Sequence, residues 1–218
     1  MRQSKTFVVF DMDGVLLDSE PLHLAAKLDI LKGFGVTGID VAGYAGIGNI
    51  EFWTDMKREF GIQEDTLDLL NMQYSHILSH VISDKVQLID GAVELLETLN
   101  ENGIETALAS ASHSQLVYPV IEELKLAGYF PVVVTGSDTS ASKPDPGIYL
   151  LALERMSRAG KDGFAVEDTT NGIRSAAGAG LHTIGYINPM SGPQHYDEAE
   201  YRVTSLRDIA EIVLNKSK

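Results

Sequence analysis

Short apolar runs alternate with helix-period patterns through most of this sequence, and that alternation restricts the fold more than any other feature. Residues 6–10 form a β-branched and aromatic run, closed by the polar stretch 11–14. Similar runs recur at 105–109, 132–135, 164–166 and 182–187, with a last one at 201–204 after the Pro-, Gly- and polar-rich stretch 188–200. Runs of this length bounded by turn residues predict buried strands. Between them, Val93, Leu96 and Leu99 repeat at helical spacing across 92–100, and Gly103 closes the pattern. Further helices are expected at 116–126, 147–156, 173–179 and 206–214. Strands that alternate with helices predict an α/β fold: a doubly wound, mainly parallel sheet covered on both faces.

The rhythm fails between about residues 18 and 85, where helical patterns appear at 22–31, 51–60 and 67–81 without a strand. Phe52, Met56 and Phe60 share one stripe of the second, and with Trp53 they read as core. The stretch is too long for a simple crossover. It is expected to be an inserted helical domain, residues 17–86, within a core made of 1–16 and 87–218. At 218 residues the chain has room for both.

Composition removes several functions. The formal net charge is −14, so the counterion displacement that drives nucleic-acid binding is not available. There is no cysteine, which excludes thiol catalysis, disulfides and zinc-thiolate sites. The polar start 1–5 and the five-residue apolar run after it fit neither a signal peptide nor a membrane span. A cytoplasmic protein without membrane attachment, acting as a monomer or weak dimer, is the expectation.

The chemistry concentrates at the ends of the expected strands. Asp11 and Asp13 follow the first strand, and residues two apart in an extended chain point the same way. Two such carboxylates invite a hard divalent cation, although an acidic helix-capping loop reads the same locally. Ser110 ends the second long strand in Ala109-Ser110-Ala111-Ser112, where a hydroxyl can hold a phosphate oxygen; Ser112 alone reads as a helix cap. Lys143 lies in the rigid turn Ser142-Lys143-Pro144-Asp145-Pro146 and can offset local negative charge, or remain a solvated surface lysine. Glu167 and Asp168 close another apolar strand ahead of a helix, where they can complete a metal site or act as dipole-matched caps, a role also open to Thr169 and Thr170.

Taken together and in order, Asp11-x-Asp13, Ser110, Lys143 and Glu167-Asp168 resemble the four motifs of the haloacid dehalogenase (HAD) superfamily of phosphohydrolases. The resemblance spans nearly the whole chain, and its nearest subgroup looks like β-phosphoglucomutase and related sugar phosphatases. It implies an HAD-like, Rossmannoid core with an α-helical cap domain. It implies that Asp11 attacks phosphorus and becomes an aspartyl phosphate, and that Asp13 acts as general acid and then base. By the same resemblance, Mg2+ is held by Asp11, the Asp13 carbonyl and Asp168 with Glu167 nearby, while Ser110, Ala111 and Lys143 bind the phosphoryl group. The implied ligand is a small phosphorylated metabolite such as a hexose phosphate or phosphoglycolate.

The cap carries the departures. His23 matches a cap histidine coupled to the acid/base, and Gly46-Ile47-Gly48-Asn49 resembles the substrate loop. The mutase pattern has cations where this chain has Asn49, Leu70 and His113. A bisphosphate intermediate needs a second phosphate clamp, so a phosphatase is favoured and a β-phosphoglucomutase-type phosphomutase is the alternative. Signalling receiver domains also phosphorylate an Asp on a parallel sheet, but the Asp-x-Asp pair and the helical insertion oppose that reading. A catalytically silent binding protein on the same fold has no support, since all four motif positions hold reactive side chains. His76 and His80, four apart, could bind a metal but lack the metalloprotease Glu, and read as helix surface. Gly43, Gly46 and Gly48 follow no strand and do not make a dinucleotide loop.

Overall fold

A computed structural model describes residues 6–41, 44, 48–83 and 88–216. The substrate-loop residues Gly43, Gly46 and Ile47 lie outside the described residues. The chain divides into two compact units, Met1–Asp18 with Gln87–Lys218, and Ser19–Val86. The first boundary falls after Asp18 rather than after residue 16, because the turn beyond the first strand folds back on itself. Gly14 N–H donates to the Leu17 carbonyl, Ile89 N–H donates to the Leu16 carbonyl, and Leu17 bridges to Leu88.

The larger unit is a six-stranded parallel sheet of β1 (Phe7–Phe10), β2 (Glu105–Ser110), β3 (Val132–Thr135), β4 (Gly163–Glu167), β5 (His182–Tyr186) and β6 (Tyr201–Val203), in the order β3-β2-β1-β4-β5-β6. All four residues of β1 are fully buried, as a strand covered on both faces requires. Phe7 and Val9 pack with Ala107, Ala109, Ala165 and Tyr149 in one core, while Phe10 meets Phe130 edge-on at 6.1 Å. Helices α4 (Ala92–Glu101), α5 (Ser114–Glu123), α6 (Gly147–Met156), α7 (Thr170–Gly178) and α8 (Arg207–Lys216) cover the sheet. Register aligns Phe10 with Leu108 and Val166, so Asp11, the end of β2 and Glu167 emerge side by side. The chain winds outward from β1 in both directions, and this central strand end is the switch point where open α/β sheets bind ligands.

The smaller unit contains α1 (Glu20–Gly33), α2 (Asn49–Phe60) and α3 (Thr66–Ser83). Phe52, Trp53 and Met56 are fully buried, with Leu69 and Ile77 of α3 among their unit's core. Phe60, expected on the same stripe, is exposed because it ends α2 at Gly61. Within this apolar interior sits Gln73, without solvent exposure. Its Oε1 accepts from Trp53 Nε1 at 2.7 Å, and its Nε2 donates to His23 Nδ1 at 2.9 Å and Asn49 Oδ1 at 3.2 Å. One amide thereby ties all three helices. His76 and His80 stack at 4.5 Å, with His76 Nε2 turned to Asp29 at 3.0 Å and His80 Nδ1 to the His76 carbonyl.

Gln73→Leu leaves the Trp53 and His23 ring nitrogens without this partner, and a buried unsatisfied polar group costs about 1–3 kcal/mol. Trp53 is the only tryptophan, so its fluorescence reports this unit. The urea midpoint of that signal should fall in the variant, and an unchanged midpoint would show that the network does not hold the helices.

Candidate active site

At the end of β1 the backbone itself prepares the site. Asp11 N–H donates to the Val166 carbonyl at 3.0 Å, which locks the strand end to β4. Gly14 then adopts a left-handed φ of +76°, and a Cβ there would lie 2.0 Å from Asp168 Oδ2. Only glycine lets the Asp168 carboxylate approach this turn. Gly172 serves Glu167 in the same way, since a Cβ at 172 would meet Glu167 Oε2 at 1.9 Å. Asn188 fixes the turn from the other side by donating from Nδ2 to the Gly14 carbonyl at 2.9 Å.

Asp11, Glu167 and Asp168 are all buried and offer carboxylate oxygens within 4.8 Å of one another. Lys143 is the cation among them. Its Nζ donates to Asp11 Oδ1 at 2.7 Å, Glu167 Oε1 at 2.6 Å and the Ala109 carbonyl at 3.1 Å. An ammonium has three donors, and all three are used. The solvated-surface reading of Lys143 is therefore corrected: its side chain is 8% exposed. Tyr149, fully buried on α6, donates a second hydrogen bond to Glu167 Oε1 at 2.6 Å.

Three carboxylates share one ammonium, and the electrostatics record the excess. Burial pushes the Asp11 carboxyl well above the usual range; Lys143 pulls it down, while Glu167, Asp168 and Asp13 push it further up. Burial and then the Glu167 charge push Asp168 up to about 7, against the opposing pull of Ser191 and Lys143. Lys143, despite burial, is held above its ordinary value by Asp11 and Glu167. The same surroundings keep the Tyr149 phenol protonated, chiefly through burial.

Asp13 faces elsewhere. Its Oδ2 accepts from Ser112 Oγ at 2.7 Å and from Ser110 Oγ at a long 3.3 Å. Its side chain is thus not part of the acidic trio, and the expected ligand from this residue is its carbonyl. Ser110 is fully buried, and its Oγ also accepts from Ser112 N–H at 3.1 Å. Ala111 is exposed and has only its backbone to offer. The helix-cap reading of Ser112 is corrected, because His113 caps α5 by accepting from Gln115 N–H. Thr169 caps α7, accepting from Gly172 N–H at 3.0 Å. His23 and Asn49 belong to the helical unit, where both engage Gln73.

The trio suits a divalent metal. The donors are hard oxygens, and Asp168 Oδ1 is buried without a hydrogen-bond partner among the described residues while Oδ2 accepts from Ser191. Glu167 Oε1 is already held by Lys143 and Tyr149, so Asp168 and Asp11 are the better ligands. Sequence reasoning missed Tyr149, Ser112 and Ser191 as supports of the site. Ser112 carried a signal, being two residues beyond Ser110 at a strand end. Tyr149 was hidden in an apolar helix stripe, and Ser191 in a long polar loop.

The sequence matches the family of haloacid dehalogenase-like hydrolases across residues 8–186. This chain belongs to that family. It is 30% identical over 179 residues to a phosphorylated carbohydrates phosphatase of Thermotoga maritima, covering 81% of this chain and 82% of that protein. It is 28% identical over 233 residues to phosphoglycolate phosphatase 1 of Pseudomonas aeruginosa, covering 95% and 82%. Among solved structures, CbbY from Rhodobacter sphaeroides in complex with phosphate superposes with a TM-score of 0.84 at 23% identity, over 94% of this chain and 96% of that one. That likeness speaks for the fold. The structure and the family agree on a parallel α/β core, and the chain is an enzyme of the hydrolase class.

If the trio binds a metal, Mg2+ should raise the melting temperature, by the equivalent of about 2.7 kcal/mol at a hundredfold excess over Kd. Asp168→Asn should abolish that increment, yet melt no lower than wild type without metal, because it removes one like charge. An undiminished Mg2+ effect in the variant would place the metal elsewhere.

Proposed function

We propose that this protein is a magnesium-dependent phosphatase of small phosphorylated metabolites, sugar phosphates foremost, working through an aspartyl phosphate on Asp11. The observation that carries the reading is the buried Asp11 carboxylate at the sheet's switch point, with Lys143 2.7 Å from its Oδ1 and Asp168 beside it. Phosphoryl transfer depends mostly on positioning and charge neutralisation. Here one ammonium and a candidate divalent-metal site stand next to a carboxylate nucleophile.

In the first half-reaction an Asp11 oxygen attacks phosphorus, and the bond from phosphorus to the ester oxygen breaks. Asp13 gives its proton to the departing oxygen. Asp13 then takes a proton from water, whose oxygen attacks the aspartyl phosphate and frees inorganic phosphate and the Asp11 carboxylate. Splitting the transfer in two replaces one difficult displacement by two easier ones. Ser112 and Ser110 keep the Asp13 carboxyl oriented for both proton transfers. Lys143 and Ser110 would meet the phosphoryl oxygens. A bound Mg2+, held by Asp11, Asp168 and the Asp13 carbonyl, would neutralise charge on the transferring group.

The helical unit is assigned the part of a cap that selects the substrate. A phosphatase is preferred to a phosphomutase because the three positions that are cationic in the mutase pattern have other work here. Asn49 bonds Gln73, Leu70 is buried in the helical core, and His113 caps α5.

Phosphate release with Mg2+ across sugar phosphates, β-glucose 1-phosphate and phosphoglycolate tests the proposal. At least one should be hydrolysed, and Asp11→Asn should lower kcat by ~10³-fold or more, given that a removed nucleophile costs several orders of magnitude. Conversion of β-glucose 1-phosphate to glucose 6-phosphate faster than hydrolysis would overturn the phosphatase in favour of the mutase.

A further inference from the structure

The polar loop between β5 and β6 grips the ends of β1 and β4 with its side chains. Asn188, itself buried, donates to the Gly14 carbonyl at 2.9 Å. Gln194 Oε1 accepts from Thr170 N–H at 2.9 Å and from Thr170 Oγ1 at 3.0 Å. Tyr196 Oη donates to the Asp168 carbonyl at 2.9 Å. These three contacts tie the loop to the core. Ser191 does something else, since its Oγ donates to the Asp168 carboxylate at Oδ2. Its own place is fixed from behind. Gln194 Nε2 donates to the Ser191 carbonyl at 3.0 Å, and Ser191 N–H donates to the Asn188 carbonyl at 3.2 Å.

The two oxygens of Asp168 therefore differ. Oδ2 carries the Ser191 hydrogen bond and lies against the Gly14 turn, where a Cβ would come within 2.0 Å of it and 3.1 Å of Ser191 Oγ. Oδ1 is buried and has no hydrogen-bond partner among the described residues. The residue as a whole is 3% exposed, so a bare carboxylate oxygen there is costly until a cation meets it. A carboxylate held in this way offers one oxygen, and that decides which cation suits it. Mg2+ demands near-ideal octahedral geometry, in which a carboxylate gives a single oxygen. Ca2+ takes about 6–8 oxygens and accepts both from one carboxylate.

We propose that Ser191 is a positioning residue that keeps Asp168 to one-oxygen ligation through Oδ1, and thereby makes the site prefer Mg2+ to Ca2+. The inference rests on the magnesium-dependent phosphatase reading above and adds what selects its cation. The terminal torsion of an Asp side chain is soft. Without the Ser191 hydroxyl, Asp168 is free to turn both oxygens toward a cation, an arrangement that serves Ca2+ and not Mg2+.

The test measures Kd for Mg2+ and for Ca2+ without substrate, from the rise of melting temperature with added MgCl2 or CaCl2, in wild type, Ser191→Ala and Asp168→Asn. Wild type should bind Mg2+ more tightly than Ca2+. Ser191→Ala should weaken Mg2+ by about tenfold or more, the usual loss when the partner of a ligating carboxylate is removed. Its Ca2+ Kd should move by less than about threefold, because two-oxygen ligation remains open to Ca2+. Without metal the variant should melt within roughly 4 °C of wild type, since Asn188, Gln194 and Tyr196 still hold the loop. An unchanged Mg2+ Kd in Ser191→Ala, or equal weakening of both cations, overturns the inference, the second outcome showing a loop anchor only. Either leaves the phosphatase reading standing. Wild type that binds no Mg2+, or Mg2+ binding that survives in Asp168→Asn, overturns the metal site itself and the inference with it.

Discussion

Everything chemical in the larger unit depends on how Lys143 is shared between Asp11 and Glu167. One ammonium, closed off from water, bonds a carboxylate of β1, a carboxylate of β4 and a carbonyl of β2. It therefore fastens the three central strand ends together as well as balancing charge. Breaking a buried pair by removing one partner costs about 3–5 kcal/mol, since the other charge is left without compensation. The arrangement is still short of positive charge. With Asp168 included, burial and mutual repulsion raise two of the three carboxyls. That deficit is what a divalent cation would relieve, and the bare Asp168 Oδ1 is the atom open to it.

Much of the fold was legible because buried parallel strands leave a plain trace. The runs at 132–135 and 182–187 are β-branched and short, and the structure has strands at Val132–Thr135 and His182–Tyr186. The helix at Gly147–Met156 begins directly after Pro146, where a proline supports a helix start. Exposure at helix ends was less legible. Phe60 continues the stripe of Phe52 and Met56, but α2 stops there and leaves it uncovered.

The candidate site was legible in its charged residues and hidden in its supports. Asp11, Lys143, Glu167 and Asp168 follow strands or rigid turns, which marks them in the sequence. Tyr149 and Ser191 act across 18 and 23 residues on carboxylates that no local pattern links to them. Gln73 anchors three side chains from two other helices, and nothing in the local sequence sets it apart from any other polar residue of a helix. Such roles depend on packing that brings distant elements together, and a single sequence holds no periodicity for them.

The central claim is that Asp11 is the nucleophile, and its covalent intermediate can be observed directly. Enzyme mixed with Mg2+ and a hydrolysed substrate carrying a radiolabelled phosphoryl group would be acid-quenched within the first turnover, digested and mapped. The account predicts label on the peptide containing Asp11, released by hydroxylamine as an acyl phosphate should be. Turnover without label on protein at any quench time, or label on another residue, would contradict it.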